Sequence, residues 1–197
     1  MRRHDSKHRR HASSHAFIVA SPANSSQDSS HALRISAHSA QWRVANGGGS
    51  FSRPGPLEGN LTATLLTIKS FLPGMKERRS GNIITISSAA APRPHPHSPV
   101  GYACAKAAIE LLTQDLAVQA GPQGIRANSI APETILTENN VRRIPEATKA
   151  MLVEAHPLRR LGTPEDVAQA ALFLASQESS WITGVILDVA GGAVMVR

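Results

Sequence analysis

The amino-acid sequence has little cysteine, few aromatic residues and no long apolar run. Its 197 residues include a single cysteine, Cys104, and aromatic side chains make up 4% of the chain. One cysteine excludes a disulfide framework within the chain and is typical of proteins in reducing compartments, so we expect a cytoplasmic protein. No apolar run approaches the roughly 18–20 residues that cross a membrane as a helix, so we expect no membrane partner.

Cys104 itself lies in a run of small residues with helical character and has no activating neighbour along the sequence. Reactive cysteines depend on nearby cationic groups that stabilise the thiolate, whereas an inert cysteine packs like a small apolar residue. We therefore expect Cys104 to be a buried packing residue rather than a nucleophile.

The positive charge is concentrated in the first third of the chain. Residues 1–58 contain 8 Lys and Arg and 3 Asp and Glu, a net charge of +5, whereas the remainder contains 13 and 11, a net charge of +2. This basic segment has no interleaved aromatic residues and no binding motif, so we expect no specific nucleic-acid partner. Its histidines are spaced too irregularly to predict a metal site: His4, His8, His11 and His15.

The chain divides into two regions of different composition. Residues 1–45 are rich in Ser, His, Arg and Ala, with little apolar periodicity apart from the run AFIVA. Such a segment buries too little apolar surface to offset the entropy of ordering it, so we predict that it is mostly disordered. Its Arg- and Ser-rich, acid-poor composition also resembles an organellar transit peptide. Residues 46–197 are predicted to form the folded domain.

From Asn60 onwards, helical and strand-like patterns alternate. The first predicted helix is expected to close at Gly81, and its apolar stripe consists of Leu61, Leu65, Ile68 and Leu72. The second has Ser98 as candidate N-cap and stops at the Gly121-Pro122 pair. The third begins after the candidate cap Thr163, with a core face of Val167, Ala170, Ala171 and Leu174.

Three apolar runs between these helices are predicted strands: NIITIS, GIRANSIAP and WITGVILDVAGG. Strands that alternate with helices favour an α/β fold with a parallel sheet and right-handed crossovers. In such a sheet, functional groups collect beyond the carboxyl ends of the strands. The first of these strands ends in Ser87 and Ser88, and the following helix carries Tyr102 and Lys106 at positions i and i+4, on one helix face.

Six segments in this order resemble the short-chain dehydrogenase/reductase family, over roughly residues 59–197. They are NLTATLL, NIITISSAAA, YACAK as the YxxxK motif, RANSIAPETILT, RRLGTPEDVAQAALFLAS and ITGVILDVAGG. The final helix and strand are most similar to the ketoacyl-reductase-like branch. The resemblance implies a partial Rossmann-like fold, a doubly wound parallel sheet with flanking helices, in a homodimer or homotetramer.

The resemblance also implies catalytic roles for four residues. Tyr102 would be the general acid/base for a carbonyl or alcohol substrate, and Lys106 would favour the phenolate through its charge. Ser88 would hydrogen-bond the reacting oxygen, and Asn60 would position a water for proton relay.

The implied cofactor is NAD or NADP, held in part by the Tyr102 and Lys106 side chains. Pro132, Ile135 and Thr137 match the loop that contacts the nicotinamide, and Asn46 matches the asparagine of a strand end further upstream. In the family, the residue that selects between NAD and NADP follows the second strand. That strand has no recognisable match in this sequence, so the choice of cofactor is not predicted.

Several features depart from the family pattern. The separation from Ser88 to Tyr102 is 14 residues where about 13 is common, and Ser87 would make it 15, so we prefer Ser88. Glu133 replaces a usual glycine and would be strained at a positive φ, or would line the nicotinamide pocket. His95 and His97, in the loop before Tyr102, are expected to be solvated.

The glycine-rich TGxxxGxG turn that cradles the pyrophosphate has no counterpart in residues 1–58. Two functions therefore remain open. One is an NAD(P)-dependent oxidoreductase. The other is a truncated, catalytically impaired member of the family that acts only as a dimerising or partner-binding module.

Overall fold

The folded part of the chain is built on a five-stranded sheet. A computed structural model describes residues 17–20, 35–36, 55–91, 93–94 and 98–195. The strand order is β2-β1-β3-β4-β5. The strands are β1 (Phe17–Ala20), β2 (Ile35–Ser36), β3 (Gly81–Ile86), β4 (Ile125–Pro132) and β5 (Ile186–Val189).

Helices cover both faces of this sheet. In chain order they are α1 (Ala63–Glu77), α2 (Val100–Ala120), α3 (Glu138–Arg143), α4 (Glu146–Ala155) and α5 (Pro164–Ala175). A π-helical turn, Glu58–Thr62, leads into α1. Among the described residues, no helix combines the length and apolar character needed to cross a membrane.

Neighbouring isoleucines of β3 belong to two different cores. Ile83 packs with Ile68 and Met75 of α1 and with small residues of α2. Ile84, on the opposite face, packs with Ala171 and Leu174 of α5. Because successive strand residues point to opposite faces, a strand that is covered on both sides is apolar throughout. This layering confirms the predicted α/β fold with flanking helices.

The parallel pairing of β3, β4 and β5 is also confirmed, with Ile83 opposite Ala127 and Ile130 opposite Leu187. β1 differs, because it runs antiparallel to both β2 and β3. Within the segment expected to be mostly disordered, residues 17–20 and 35–36 therefore form strands, and 17–20 lie in the apolar run AFIVA. The rest of residues 1–45, and Asn46, lie outside the described residues.

Two of the four helix ends that the sequence predicts follow their signals: the start of α5 and the end of α2. Thr163 caps α5 in a capping box with Asp166, as its sequence indicates. α2 starts at Val100, with Pro99 rather than Ser98 in the cap position, and ends before Gly121. The prediction that Gly81 closes α1 was wrong.

At the end of α1, Arg79 instead adopts the left-handed backbone conformation, with φ of 52°. Gly81 is the first residue of β3, where a Cβ atom would lie 2.6 Å from Sδ of Met75. Glycine is therefore required at this position by close packing of the helix on the strand rather than by the turn.

Two burial predictions were also wrong. Leu65 is 48% exposed although it belongs to the predicted stripe of α1, whereas the polar Thr64 beside it is buried. Cys104 is exposed, because the buried positions of α2 include Ala105 and Ile109 and thus face the other way. Small and polar residues occupy buried helix positions here, and apolar periodicity alone does not identify such positions.

We predict opposite effects of alanine at two glycines between α2 and β4. Gly124 has φ of 73°, and a Cβ atom there would lie 2.5 Å from the carbonyl oxygen of Arg79, so Gly124→Ala should lower the free energy of unfolding by about 2 kcal/mol. Gly121 has φ of −54° and open space around it, so Gly121→Ala should be neutral or slightly stabilising. Urea unfolding of both variants tests this, and equal effects would contradict the packing argument.

Candidate active site

Tyr102 and Lys106 lie one turn apart in the N-terminal half of α2. The Lys106 Nζ atom is 5.5 Å from the centroid of the Tyr102 ring. This distance is within the range of a cation–π contact, and the i, i+4 spacing places both side chains on one face of the helix. The structure thus brings the predicted pair together.

The ammonium group of Lys106 is buried at the end of β3. Lys106 is 2% exposed, and its Nζ donates a hydrogen bond of 2.8 Å to the carbonyl oxygen of Ile86, the last residue of that strand. Burial lowers the pKa of Lys106 to about 8 because it disfavours the charged form. The lysine therefore connects α2 directly to the carboxyl end of the strand.

Ser88, rather than Ser87, is the serine that reaches Tyr102. A hydrogen bond joins the side chains of Ser88 and Tyr102. Ser87 instead is buried and donates to Glu110 Oε1 at 2.8 Å and to the Lys106 carbonyl oxygen at 3.1 Å. The two neighbouring serines therefore differ in their contacts, and the geometry agrees with the preference for Ser88.

The pKa of Tyr102 is raised, contrary to the expectation that Lys106 would favour the phenolate. Burial of the phenol is the largest cause, and the negative charge of Glu133 adds to it, while the hydrogen bond with Ser88 acts in the opposite direction. The Lys106 ammonium is itself buried and is bonded to Ile86. In this arrangement, desolvation of the phenol outweighs attraction by the neighbouring cation.

Asn60 lies in the π-helical turn before α1, and π turns are frequent at functional sites. Its Nδ2 donates to the Pro56 carbonyl oxygen at 2.7 Å, whereas its Oδ1 is buried and has no hydrogen-bond partner in the described part of the chain. The turn packs against α2, where a Cβ atom on Gly101 would lie 3.4 Å from the Pro56 ring. An unpaired acceptor at this position is suited to binding a water or a ligand donor.

The loop after β4 is tied to the loop after β3. The Ala89 amide donates to the Pro132 carbonyl oxygen at 2.9 Å, so the loops that carry Ser88 and Glu133 lie side by side. The Glu133 amide continues the hydrogen-bond ladder between β4 and β5 by donating to the Val189 carbonyl oxygen at 3.2 Å. Glu133 is not among the residues with positive φ, so the glycine that it replaces is not required by the backbone.

The remaining residues of this loop are held by backbone and capping contacts. Ile135 forms a parallel bridge with Gly162 and accepts a bond of 2.8 Å from the Asn140 side chain. Thr137 is the N-cap of α3, and its hydroxyl accepts a bond of 3.3 Å from the Asn140 amide. His95 and His97 lie outside the described residues.

A cavity of about 250 Å³ opens beside this loop. Glu133 and Thr134 form one wall, and the end of β5 with the following turn, residues 187–191, forms another. The remaining lining comes from the connection between α4 and α5 and from the first turn of α5: His156, Leu158, Arg160, Gly162 and Asp166. Sequence reasoning missed this cavity, because only the fold brings these segments together.

Glu110 was also missed by the sequence analysis. It follows Lys106 by four residues on α2, and its carboxylate accepts a hydrogen bond from the Ser87 hydroxyl. Ser87 therefore bridges the end of β3 to the turn of α2 that carries Lys106. The i, i+4 spacing of Lys106 and Glu110 predicts that both lie on one face of α2, but it does not predict the contact of Glu110 with Ser87 at the end of β3.

Comparisons with known proteins assign this fold and site to a class. The family model described as Enoyl-(Acyl carrier protein) reductase matches residues 57–194. The chain belongs to the short-chain dehydrogenase/reductase family, in its ketoacyl-reductase-like branch.

Individual relatives agree with this assignment. The chain is 39% identical over 137 residues to glucose 1-dehydrogenase 2 of Bacillus subtilis, covering 69% of this chain and 53% of the relative. It is 42% identical, with a TM-score of 0.65, to a 3-oxoacyl-[acyl-carrier protein] reductase with bound NAD from Brucella melitensis, covering 71% and 51%. It is 30% identical, with a TM-score of 0.63, to a gluconate 5-dehydrogenase of Burkholderia cenocepacia in complex with NADP and tartrate, covering 70% and 52%. The chain thus spans about half the length of these relatives.

We predict that Lys106→Met changes how stability depends on pH. The folded pKa of Lys106 is about 8 against 10.5 for a free lysine, so between these values the unfolded chain binds more protons at this group. As the pH rises from about 7 to 10.5, the free energy of unfolding of the wild type should therefore increase by about 3 kcal/mol more than that of the variant. Urea unfolding at both pH values measures the difference, and parallel pH profiles would show that the ammonium is not desolvated.

Proposed function

We propose that this chain is an NAD(P)-dependent oxidoreductase that interconverts a carbonyl compound and an alcohol, with Tyr102 as general acid/base. The observation that carries the proposal is the grouping of Tyr102, Ser88 and Lys106 at the carboxyl end of β3. This edge of a parallel sheet is where α/β enzymes bind their ligands. The nicotinamide, when bound, supplies or accepts the hydride.

Tyr102 provides the proton. Its raised pKa keeps the phenol protonated at neutral pH, which is the form that can donate to a carbonyl oxygen. Ser88 is already hydrogen-bonded to the Tyr102 side chain, so its hydroxyl lies where it can also contact the substrate oxygen. A donor fixed in this position stabilises the negative charge that develops on that oxygen.

Lys106 supports the proton transfer. With a pKa of about 8, it is mostly protonated at neutral pH and offers a cation to the phenolate as it forms. Among the described residues, the hydrogen-bond partner of Nζ is the Ile86 carbonyl oxygen, and an ammonium has three donors. The remaining donors are suited to hydroxyl groups, such as those of a ribose.

Asn60 is proposed to hold a water for proton relay. Its buried Oδ1 atom has no partner among the described residues, and a buried acceptor of this kind is normally satisfied by an ordered water. The π-helical turn fixes the side chain through its bond to Pro56, so the acceptor is preorganised.

The described residues fit the nicotinamide end of the cofactor. Lys106 offers donors for ribose hydroxyls, and Pro132 and Ile135 present half-buried side chains on the loop that is tied to Ser88. Thr137 lies at the N-cap of α3 in the same loop. The relatives from Brucella melitensis and Burkholderia cenocepacia contain NAD and NADP respectively, which supports either nucleotide as the cofactor.

We predict that Tyr102→Phe lowers kcat by about 10²–10⁴-fold, because the variant removes the transferable proton and keeps the ring. The assay follows the oxidation of NADH or NADPH in the presence of three kinds of carbonyl substrate. These are a glucose-derived lactone, small cyclic ketones and 3-oxoacyl thioesters. Cofactor binding by calorimetry is the control and should be unchanged in the variant. Undiminished turnover would rule out Tyr102 as the acid.

A second candidate is a dimerising or partner-binding module without catalysis. α1 and α2 expose apolar side chains on their surfaces: Leu65, Phe71, Leu111 and Val118. Exposed apolar groups of this kind favour association, and a homodimer or homotetramer would bury them. Calorimetry with NADH and NADPH distinguishes the candidates. Absence of binding at millimolar concentration, together with a dimer in sedimentation, would favour the module.

A further inference from the structure

The cavity beside the Glu133 loop carries an unequal set of charges. Its walls contain three carboxylates, those of Glu133, Asp166 and Asp188, and one guanidinium, that of Arg160. His156, the remaining titratable residue of the lining, is 3% exposed, and its Nδ1 lies 2.6 Å from the Leu152 carbonyl oxygen. A ligand that enters this space therefore meets more negative than positive charge.

The positive group is already neutralised. Arg160 donates two hydrogen bonds to Asp166, of 2.7 Å and 2.8 Å, in the two-pronged geometry that makes the strongest ion pairs. Asp166 is also held by the Thr163 amide at 2.8 Å, as part of the cap of α5. An anionic ligand therefore meets Arg160 only as one half of an ion pair.

Glu133 has no such cationic partner in the described part of the chain. Its Oε1 accepts a bond of 3.3 Å from the Thr134 hydroxyl, a neutral donor. The residue is half-buried at the cavity wall, so its charge is only partly screened by solvent. Glu133 is thus a lining carboxylate whose named contact carries no positive charge.

Glu133 also lies close to the reacting group. The bond from Ala89 to Pro132 places the residue beside the loop of Ser88, which contacts Tyr102. Its charge contributes to the raised pKa of Tyr102, after the larger effect of burial. The carboxylate therefore acts electrostatically on both the cavity and the tyrosine.

We propose that Glu133, which lines this cavity and also acts on Tyr102, is a specificity-determining residue, whose carboxylate makes the cavity bind neutral or cationic alcohols and carbonyl compounds in preference to anionic ones. The proposal rests on the oxidoreductase function above. A substrate carboxylate or phosphate in this cavity would face the Glu133 carboxylate, while Arg160 is paired with Asp166. An ammonium group would instead be attracted to the same wall.

Three probes of similar size separate charge from shape: benzyl alcohol, 4-(hydroxymethyl)benzoate and 4-(aminomethyl)benzyl alcohol. Their dissociation constants are measured by ligand-observed NMR with the full chain and saturating NADP. We expect the benzoate to bind about tenfold more weakly than benzyl alcohol, and the amine more tightly. In Glu133→Gln, the difference between benzoate and benzyl alcohol should largely disappear.

The matched control is Glu77→Gln. Glu77 is exposed at the C-terminus of α1, at the opposite edge of the sheet from the strand carboxyl ends, so this variant removes one charge without touching the cavity. It should leave the ratios between the probes unchanged. An equal effect of both variants would mean that net charge, and not Glu133, sets the preference, and would overturn the proposal.

A second readout does not depend on any ligand. Tyr102 is the single tyrosine of the chain, so the ultraviolet absorbance of tyrosinate reports its ionisation alone. Glu133→Gln should lower the pKa of Tyr102, since a negative neighbour is removed, and Glu77→Gln should not. An unchanged titration in Glu133→Gln would contradict the placement of the carboxylate.

The outcomes distinguish this proposal from the proposed function. Charge-selective binding that Glu133→Gln abolishes, without turnover of these probes or of the substrates assayed above, would support the selectivity and refute the oxidoreductase. Turnover without charge preference would support the oxidoreductase and overturn the role of Glu133. Absence of binding for all three probes would overturn the cavity as a substrate site.

Discussion

The candidate site depends on one hydrogen bond, from the buried ammonium of Lys106 to the Ile86 carbonyl oxygen at the end of β3. A charge in this position is unfavourable by itself, and the lowered pKa of Lys106 measures that penalty. The bond instead fixes the position of α2 relative to the end of β3. Tyr102, one turn earlier, then has no freedom to leave the edge of the sheet.

The loops around the site are placed by the same parallel ladder that builds the sheet. Beyond the last residues of β3 and β4, backbone bonds continue from Ala89 to Pro132 and from Glu133 to Val189. The strand ends therefore remain in register where irregular structure begins. This continuity brings Ser88 to Tyr102 and turns Glu133 towards the cavity, although these residues belong to different segments of the chain.

The departures from the family pattern have different consequences in the folded protein. The longer interval between Ser88 and Tyr102 does not prevent their hydrogen bond. Glu133 causes no backbone strain, since its φ is not positive, but its negative charge contributes to the raised pKa of Tyr102. β1 pairs antiparallel with β3, whereas the other neighbour of β3 is parallel. The match to the family model covers residues 57–194, which include Tyr102 and Lys106 of this chain.

The sequence by itself determined the elements that have strong local causes. The capping box at Thr163, the stop after Ala120 and the apolar strand runs are local patterns, and so are the Tyr102–Lys106 spacing and the family motifs. The tertiary structure alone decided which side chains are buried and what they touch. The exposure of Cys104 and Leu65, the different partners of Ser87 and Ser88, and the raised pKa of Tyr102 all depend on neighbours that are distant in sequence. Burial and electrostatics act through space, so local periodicity cannot specify them.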